Sequence, residues 1–489
     1  MKFLGRVVVS LVVFVSSWET ATTRAEDFKV PAGQRQLFLD DHGIAKTENL
    51  KRRMHRPKKQ GAVIRPRYLT TSERSIQTRS GPQWDAERGV YRIWLLAKDC
   101  YESRDGLHWV PTTEQPTEAV QGAVIDPDDP DSSRRYKGLV ATRGKRVVVV
   151  SPDGLAWRRL DSPAISSQDE SNLSFDAQSR TFIATVKQRG PYGRSVWLST
   201  SKDFQEWTKP ELIFHADAKD QELGRRVIER RVADKTLQPM RFVDPEVFNV
   251  QVYNMGVFRY EGLYVGLPAM FHSTGKVDNY PNTDGFHVVQ LACSRDLKTW
   301  RRLGGREPFI GPSRLGSGAF DLTQILPPSA PIVRGDELWF YYTGLKYRAT
   351  FNYEGKYPNG KIVVLPQFDG PGGAICLAVL RRDGFVSLQA GATPGVVMTE
   401  AFVIRGEEWY VNAQLAEGGQ LVVEVIDDTG AVVALSKPVT GDQPSCPIRW
   451  ARGTGRGLVN QRVRVRFQLT HGHLFSYWMD RAAEKPKTP

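Results

Sequence analysis

The chain has 489 residues and carries 43 glycines, 30 prolines, 12 tryptophans, 16 tyrosines and 22 phenylalanines. This length allows two or three domains with a sizeable core, and the composition is typical of a β-rich protein with many turns. The net charge of +13 favours an anionic partner, and an acidic polysaccharide suits an aromatic-rich β protein better than a nucleic acid does. A solvated basic surface would account for the same charge.

The first 25 residues have the pattern of a signal peptide. Lys2 and Arg6 precede an apolar run from Val7 to Val15, and Ala25 supplies a small residue at the cleavage position. About nine apolar residues are too few to cross a bilayer, and no second hydrophobic segment follows. We therefore expect a secreted or periplasmic protein, cleaved near Ala25, without a membrane span.

A short motif recurs between residues 26 and 390: a Ser, any residue, an Asp, a turn residue, two further residues and a Trp. Asp-Gly between two apolar runs is a hairpin signal, because Gly adopts positive φ and Asp bonds its own backbone. Four complete copies run from Ser103 to Trp109, from Ser151 to Trp157, from Ser201 to Trp207 and from Ser294 to Trp300. A fifth copy, from Arg382 to Phe385, keeps only the Asp-Gly turn.

The spacing of the motif predicts the architecture. The motif aspartates stand at positions 105, 153, 203, 296 and 383. Intervals of 48 and 50 residues, with four strand-like runs each, predict a five-bladed β-propeller, and the later intervals of 93 and 87 then contain insertions. One insertion holds the best helical segment, Asp217 to Arg231. A polar stretch from Lys346 to Gly370 is long enough to overhang the axis, and Pro57 to Gly61 is expected to connect into the first blade.

After about residue 391 the period stops. Short strand-like runs such as Leu421 to Ile426 and Arg462 to Phe467 alternate with turns, which predicts a compact β-sandwich over residues 391–481. Residues 482–489 are expected to form a disordered tail. The predicted fold class is therefore all-β, with a propeller over residues 26–390 followed by a sandwich.

Candidate catalytic residues follow from the propeller geometry. The innermost strands surround the axis, so side chains just before each of them converge on one cleft. Glycosidic bond cleavage uses one carboxylic acid to protonate the leaving oxygen and one carboxylate to attack or to activate water. The candidates are Asp169 and Glu170 before the third blade, Asp244 and Glu246 before the fourth, Asp321 before the fifth, and Asp40 and Asp41 if the N-terminal strand reaches the axis. Each also has a structural interpretation, as a cap of a turn or a strand end.

Aromatic and amide side chains near the same cleft are candidates for binding the substrate, because the apolar faces of pyranose rings pack on flat aromatic rings. These candidates are Tyr253, Asn254, His272 and Tyr347. The four cysteines, at positions 100, 293, 376 and 446, include no C-x-x-C pair and no metal-ligand spacing. We therefore predict neither a metal site nor a cofactor.

Several stretches carry a family resemblance. They are the Ser-x-Asp-[Leu/Phe]-x-x-Trp hairpins, Leu37 to Asp41, Tyr260 to Tyr264, Ala292 to Asp296 and Gly335 to Gly344. With the order of signal peptide, propeller and C-terminal sandwich, the chain resembles the clan of glycoside hydrolase families 32 and 43, and in particular secreted family-32-like proteins of bacteria. The resemblance implies a five-bladed glycosidase fold.

The catalytic motifs of family 32 are not matched. Asp40 and Asp41 lack the neighbours of its nucleophile motif, Asp244 follows Val243 where that family has Arg, and Glu170 lacks the adjoining Cys. A fructan substrate is therefore not expected.

Three functions stay open at this point. Two carboxyl groups facing each other across the axis at roughly 5–10 Å would favour a glycoside hydrolase acting on a poly- or oligosaccharide. One carboxylate ringed by Arg and His would favour a phosphorolytic glycosidase, and no cleft carboxylate would favour glycan binding or surface attachment alone. The leading interpretation is hydrolysis, with Asp169 or Glu170 and Asp321 among the cleft carboxylates.

Overall fold

The computed structural model describes residues 28–66, 75–276, 282–348, 354–356, 362–364 and 372–481. The predicted signal peptide and tail lie outside these residues, as does most of the polar stretch from Lys346 to Gly370. Within the described residues strands dominate, and the predicted all-β fold is confirmed.

Five antiparallel sheets form the five blades that the hairpin spacing predicted. Blade I contains Gln83–Asp85, Val90–Leu95, Asp99–Ser103 and Val110–Pro111, and blade II contains Val120–Ile125, Tyr136–Thr142, Lys145–Ser151 and Arg158–Arg159, with Ile165–Ser166 added to its third strand. Blade III contains Ser171–Asp176, Thr181–Gly190, Gly193–Ser201 and Glu211–Phe214. Blade IV contains Asn249–Tyr260, Leu263–Lys276, Ala292–Ser294 and Arg301–Arg302, with Thr283–Val289 added to its second strand.

Blade V closes the ring with a strand from the start of the chain. Its strands are Gln324–Leu326, Glu337–Leu345, Gly373–Arg381 and Lys58–Ile64, with Ile332–Arg334 added to the second. The prediction that Pro57 to Gly61 is a connector into the first blade is therefore wrong. Lys59 lies opposite Ala378 in the ladder, and local sequence does not reveal a partner so far along the chain. This pairing ties the first and last parts of the propeller together.

The C-terminal region forms one continuous hydrogen-bonded sheet of eleven strands around its own core. Three strands come from the N-terminal segment, namely Gln36–Leu37, Ile44–Glu48 and Lys51–Met54. The others are Val386–Ala390, Gly395–Thr399, Phe402–Val403, Glu408–Asp427, Val432–Ser436, Asp442–Pro447, Trp450–Arg452 and Arg462–Asp480. The chain thus contributes to this sheet before it enters the propeller. The sandwich arrangement and the boundary at residue 391 stay predictions.

The insertion between blades III and IV contains the helix Ala218–Ala233, in the segment predicted to be helical. Its first turn is stabilised by a capping box, because the Asp217 carboxylate accepts the Asp220 N–H at 2.9 Å while the Asp220 carboxylate accepts the Asp217 N–H at 3.0 Å. Short 3-10 turns span Ser132–Arg134, Pro245–Val247, Gly304–Arg306 and Arg456–Leu458, and a small two-stranded sheet pairs Glu354–Lys356 with Ile362–Val364. Over the described ranges no helix has the length and apolar character needed to cross a membrane.

The repeated motif shapes the hairpins, as predicted. Asp296 accepts the N–H groups of Lys298 at 2.8 Å and Thr299 at 2.7 Å, and the Ser294 hydroxyl donates to it at 2.9 Å. These hairpins follow the third strand of a blade. Because neighbouring strands alternate in direction, they lie at the opposite end of the blades from the starts of the innermost strands. The motif is therefore remote from the predicted cleft.

Candidate active site at the propeller axis

An ion pair between Asp169 and Lys187 lies where the innermost strand of blade III begins. The Asp169 Oδ1 atom is 2.6 Å from the Lys187 Nζ atom, and the Asp169 side chain is 66% exposed while that of Lys187 is 1% exposed. The two residues meet because their backbones pair: Gln168 N–H donates to the Lys187 carbonyl, and Lys187 N–H donates to the Glu170 carbonyl. Asp169 is thus presented to solvent beside a buried cation.

The neighbouring carboxylate, Glu170, is buried and paired differently. The guanidinium of Arg79, in the segment before blade I, donates to both Glu170 oxygens, at 2.5 Å and 2.8 Å. Such bidentate pairs hold both partners in a fixed geometry. The backbone carbonyl of Arg79 also accepts from Asn172 at 3.1 Å and from Ser329 at 2.6 Å, so this pair lies where blades I, III and V meet.

A chain of hydrogen bonds supports Asp169 from blade II. Arg146 Nε donates to Ser171 Oγ at 2.8 Å, Ser171 Oγ donates to Gln121 Oε1 at 2.8 Å, and Gln121 Nε2 donates to the Asp169 carbonyl at 2.8 Å. Arg146 is buried, and its Nη2 atom has no hydrogen-bond partner among the described residues. This guanidinium therefore keeps one unpaired donor that is buried beside the cluster.

Tyr253, from blade IV, covers the side of the ion pair. Its hydroxyl donates to Asp169 Oδ2 at 3.5 Å, and its ring centroid lies 3.8 Å from Lys187 Nζ. The Arg194 guanidinium lies 6.0 Å from the same ring, and the imidazole of His287 packs against it with centroids 4.7 Å apart. Arg348 is close enough to Tyr253 and His287 to affect the pKa of both. Blades III and V thus bring further cations to the aromatic rings of blade IV.

We call this group the axial cluster. Its members are Arg79, Arg146, Asp169, Glu170, Lys187, Arg194, Tyr253, His287 and Arg348. Five cations face two carboxylates, so the axial cluster carries a net positive charge. A positively charged site attracts anions.

Burial and charge shift the pKa values of these groups. Desolvation raises the pKa of Asp169, but the Lys187 ammonium, a backbone hydrogen bond and Arg194 together outweigh it, so the net shift is downward. Burial lowers the pKa of Lys187 although Glu170 and Asp169 oppose this, and it lowers the pKa of Arg146 to about 10. Burial, with Arg348 and Arg194 nearby, lowers the pKa of His287 well below 6.5. At neutral pH Asp169 is therefore ionised and His287 is neutral.

Asp321 lies elsewhere than at the axial cluster. It is buried within blade V, where Tyr342 donates to its Oδ2 atom at 2.8 Å and Lys59 Nζ lies 2.6 Å away. Tyr342 belongs to the second strand and Lys59 to the outermost strand of that blade. These contacts fit a structural carboxylate that joins strands of one blade.

Asp40 and Asp41 lie at the opposite end of the propeller. Arg295, in the hairpin motif of blade IV, donates to both Asp40 oxygens at 2.7 Å and 3.0 Å. Hydrogen bonds from Arg301 and then Arg52 lower the pKa of Asp41. The condition on which the sequence included them, an N-terminal strand reaching the axis, is not met.

Asp244 and Glu246 belong to a short turn before blade IV. The Asp244 carboxylate caps the 3-10 turn Pro245–Val247 by accepting the Glu246 N–H at 3.1 Å, and its own N–H donates to the Thr274 carbonyl at 2.7 Å. Glu246 is exposed. The structure therefore gives Asp244 a capping role.

The four predicted substrate-binding residues are divided. Tyr253 is in the axial cluster, and buried Asn254 donates to Asn172 at 3.0 Å beneath it. His272 lies in the interior of blade IV, where its ring stacks on Phe286 with centroids 4.8 Å apart. Tyr347 is half-buried and lies two residues after the second strand of blade V.

Sequence reasoning missed the cations. The candidates were carboxylates before innermost strands and aromatic or amide side chains near the cleft, so they did not include Arg79, Arg146, Lys187, Arg194 and Arg348. A usable signal exists for two of them. Lys187 ends the apolar run of the second strand in blade III, and Arg194 opens the third strand, so both lie at the cleft end of that blade. Within the described residues no group of His, Cys, Asp and Glu side chains has the arrangement of a metal site.

The sequence matches no protein-family model and no curated protein, whereas solved structures share the fold. One is an N-acetylgalactosamine deacetylase from F. plautii in complex with blood group B trisaccharide, with 13% identity and a TM-score of 0.37 over 72% of this chain and 96% of that chain. Another is a GH32 β-fructofuranosidase of Bombyx mori, with 12% identity and a TM-score of 0.37. The match covers 88% of this chain and 95% of that chain. A third is a family 43 arabinoxylan arabinofuranohydrolase from Bacillus subtilis in complex with cellotetraose, with 10% identity and a TM-score of 0.35 over 86% and 99%.

Proposed function

We propose that this protein is an exported carbohydrate-active enzyme that cleaves a glycosidic bond by phosphorolysis at the axial cluster. The observation that carries the proposal is that one exposed carboxylate, Asp169, is surrounded by cations, while its neighbour Glu170 is held by Arg79. This is the arrangement expected of a site that binds an anionic attacking group and needs one acid.

Hydrolysis by a carboxylate pair has less support. Glu170 is buried with both carboxylate oxygens bonded by Arg79, whereas Asp169 is exposed, so the two do not flank one bond. Asp321 is engaged by Tyr342 and Lys59 inside blade V. Among the described candidates, Asp169 is therefore the one carboxylate in position to meet a substrate.

The proposed reaction is a displacement at the anomeric carbon. Inorganic phosphate is held by Lys187, Arg194 and their cationic neighbours, and one of its oxygens forms a bond to the anomeric carbon. At the same time the bond between that carbon and the glycosidic oxygen breaks. Asp169 gives its proton to the leaving oxygen and then takes up the proton of the hydrogen phosphate. The products are a sugar 1-phosphate and the shortened glycan.

The same ion pair couples the acid to phosphate binding. Lys187 lowers the pKa of Asp169, which disfavours the protonated form that the reaction needs. A bound phosphate dianion would engage Lys187 and place negative charge near Asp169, and both effects raise the pKa of that carboxyl. The acid would then become protonated when the second substrate is present.

An acidic glycan is the second candidate ligand. The five cations of the axial cluster would pair with a uronate carboxylate as well as with a phosphate, because both are oxyanions. In that case the protein would bind, or hydrolyse, an anionic polysaccharide without using phosphate.

The test is an activity screen of the mature chain, starting at residue 26, on a panel of neutral and acidic oligosaccharides with and without inorganic phosphate. The proposal expects turnover that requires phosphate and falls by about 10²- to 10⁴-fold in Asp169→Asn, which removes the acid but keeps the shape. Asp161→Asn, at an exposed position eight residues earlier, is the matched control and should keep full activity. Turnover independent of phosphate would reject phosphorolysis.

A further inference from the structure

We propose that Tyr192 and His215 form a stacking platform for a sugar ring at the outer part of blade III, so that the cleft binds an oligosaccharide rather than a single sugar. The inference rests on the proposed function in one respect, namely that the axial cluster holds the bond to be cleaved.

The turn that carries Tyr192 is rigid. Pro191 precedes it with a fixed φ, and Gly193 follows it at φ +91°, in the left-handed region. A Cβ atom on Gly193 would lie 2.7 Å from Gln251 Oε1, and Arg194 donates to that same oxygen through its N–H at 3.1 Å and its Nη1 at 2.9 Å. Blade IV therefore fixes the turn from one side.

Tyr192 is nevertheless 39% exposed. Its ring is nearly parallel to that of half-buried His215, with an interplanar angle of 13° and centroids 6.4 Å apart. The His215 backbone is held by Arg302, whose Nη2 atom donates to the His215 carbonyl at 2.7 Å. Two flat rings are thus presented in one orientation.

His215 also offers a polar group beside the rings. Its Nδ1 atom lies 2.6 Å from the Ala216 carbonyl oxygen, which accepts a hydrogen bond, so Nδ1 is the donor and in the neutral ring Nε2 is an acceptor. In the described structure no residue is bonded to Nε2. The exposed ring of Tyr192, with an acceptor on the neighbouring ring, suits a pyranose, which has an apolar face and hydroxyl donors.

The platform lies on the same end of the propeller as the axial cluster. The turn at Tyr192 joins the second and third strands of blade III, and neighbouring strands run in opposite directions, so it lies at the end where the innermost strand begins. Arg194, two residues later, already contacts the ring of Tyr253. The third strand is two spacings from the innermost one, roughly 10 Å. A sugar on the platform would thus belong to a chain that extends outward from the axis.

The test uses Asp169→Asn protein on an array of defined oligosaccharides of one to six sugar units, without phosphate. Tyr192→Ala should weaken the binding of the longer glycans about tenfold, in line with the loss of one ring contact, and Tyr192→Phe should restore it. His215→Ala should weaken the same glycans. Leu107→Ala is the control, because Leu107 is similarly exposed but lies in a hairpin at the other end of blade I.

Two results would overturn the platform. In the first, Tyr192→Ala binds every glycan as tightly as the parent protein does. In the second, Tyr192→Ala and Tyr192→Phe both lose affinity for short and long glycans to the same extent. The proposed function is judged separately, by calorimetric titration of the wild-type protein with inorganic phosphate. A length-dependent loss on the array without any phosphate binding would keep the platform and reject phosphorolysis.

Discussion

Asp169 and Lys187 form an ion pair in which the carboxylate is exposed and the ammonium is almost wholly buried, with 2.6 Å between Oδ1 and Nζ. A buried cation normally needs a buried partner, because its desolvation is costly. Here the charge of buried Glu170 also attracts the Lys187 ammonium, whereas Asp169 is exposed and can meet a substrate. The pair thus combines a fixed positive charge with an accessible acid.

Replacing Lys187 by Met should change the pH dependence of activity. The substitution removes the main group that lowers the pKa of Asp169, so that pKa rises. Activity that needs protonated Asp169 falls as the pH rises through this pKa, and the alkaline limb of kcat/KM should therefore move to higher pH. The maximum should fall by about 10²- to 10³-fold through the lost phosphate contact. Lys209→Met, at an exposed lysine after blade III's third strand, is the control. An unmoved alkaline limb would remove Lys187 from this role.

Glu170→Gln should reduce stability more than catalysis. The variant keeps the shape of Glu170 but removes the charge that Arg79 binds at 2.5 Å and 2.8 Å. Leaving that guanidinium buried without its counter-charge should cost about 3 kcal/mol, seen as a lower midpoint in thermal or urea unfolding. Turnover by the folded fraction should stay far above that of Asp169→Asn. Equal losses of turnover in both variants would make Glu170 a second catalytic carboxylate.

Asp383, in the fifth and shortest copy of the hairpin motif, joins the two main parts of the protein. Its carboxylate accepts from Arg35 at 2.7 Å, from Tyr260 of blade IV at 2.6 Å and from Ser476 of the C-terminal sheet at 2.5 Å. Asp383→Ala leaves these buried donors without a partner and should destabilise the protein by about 3 to 5 kcal/mol.

In calorimetry, the propeller and the C-terminal sheet of Asp383→Ala should unfold in two separate transitions. The first of these should have a lower midpoint temperature than the parental protein. Asp428→Ala, at an exposed turn in the same sheet, should change the free energy of unfolding by less than about 0.5 kcal/mol. A single transition at the parental temperature for Asp383→Ala would argue against the interdomain role.

His272 should make the protein less stable in mild acid. Burial lowers its pKa from 6.5 to about 4, so the unfolded chain takes up a proton near pH 6.5 while the folded protein does so only near pH 4. Stability is therefore complete above pH 6.5 and falls as the pH drops toward 4, by on the order of 2 to 3 kcal/mol from this residue. Urea unfolding at pH 7 and pH 4.5 measures the slope. His272→Phe should make the slope shallower, while buried His287 keeps part of it, and an identical slope in that variant would contradict the assignment.

The blades were predictable because their signal is local. Asp296 and the motif aspartates of blades I to III bond to the backbone two and three residues later, so each of these four copies specifies its own hairpin. Counting the copies then gave five blades. The strand Lys58–Ile64 was not predicted, because its partner Gly373–Arg381 is more than 300 positions later and pairs with it only when the ring closes.

The site was predictable in part for a related reason. Asp169 and Glu170 were found because they precede an innermost strand, which is a feature of topology. The different roles of these two residues could not be predicted, since only the fold shows that Arg79 reaches Glu170 and that Lys187 pairs with Asp169. From the sequence alone, a charged residue in a strand is interpreted as exposed, because the burial by neighbouring blades is not visible.

The product formed in the presence of phosphate tests the central claim most directly. The mature enzyme is incubated with the most active oligosaccharide of the panel in phosphate buffer, and the mixture is followed by ³¹P NMR. The account predicts a sugar 1-phosphate resonance that grows in proportion to the glycan consumed and is absent with Asp169→Asn. Release of free reducing sugar at the same rate in phosphate-free buffer, without that resonance, would contradict it.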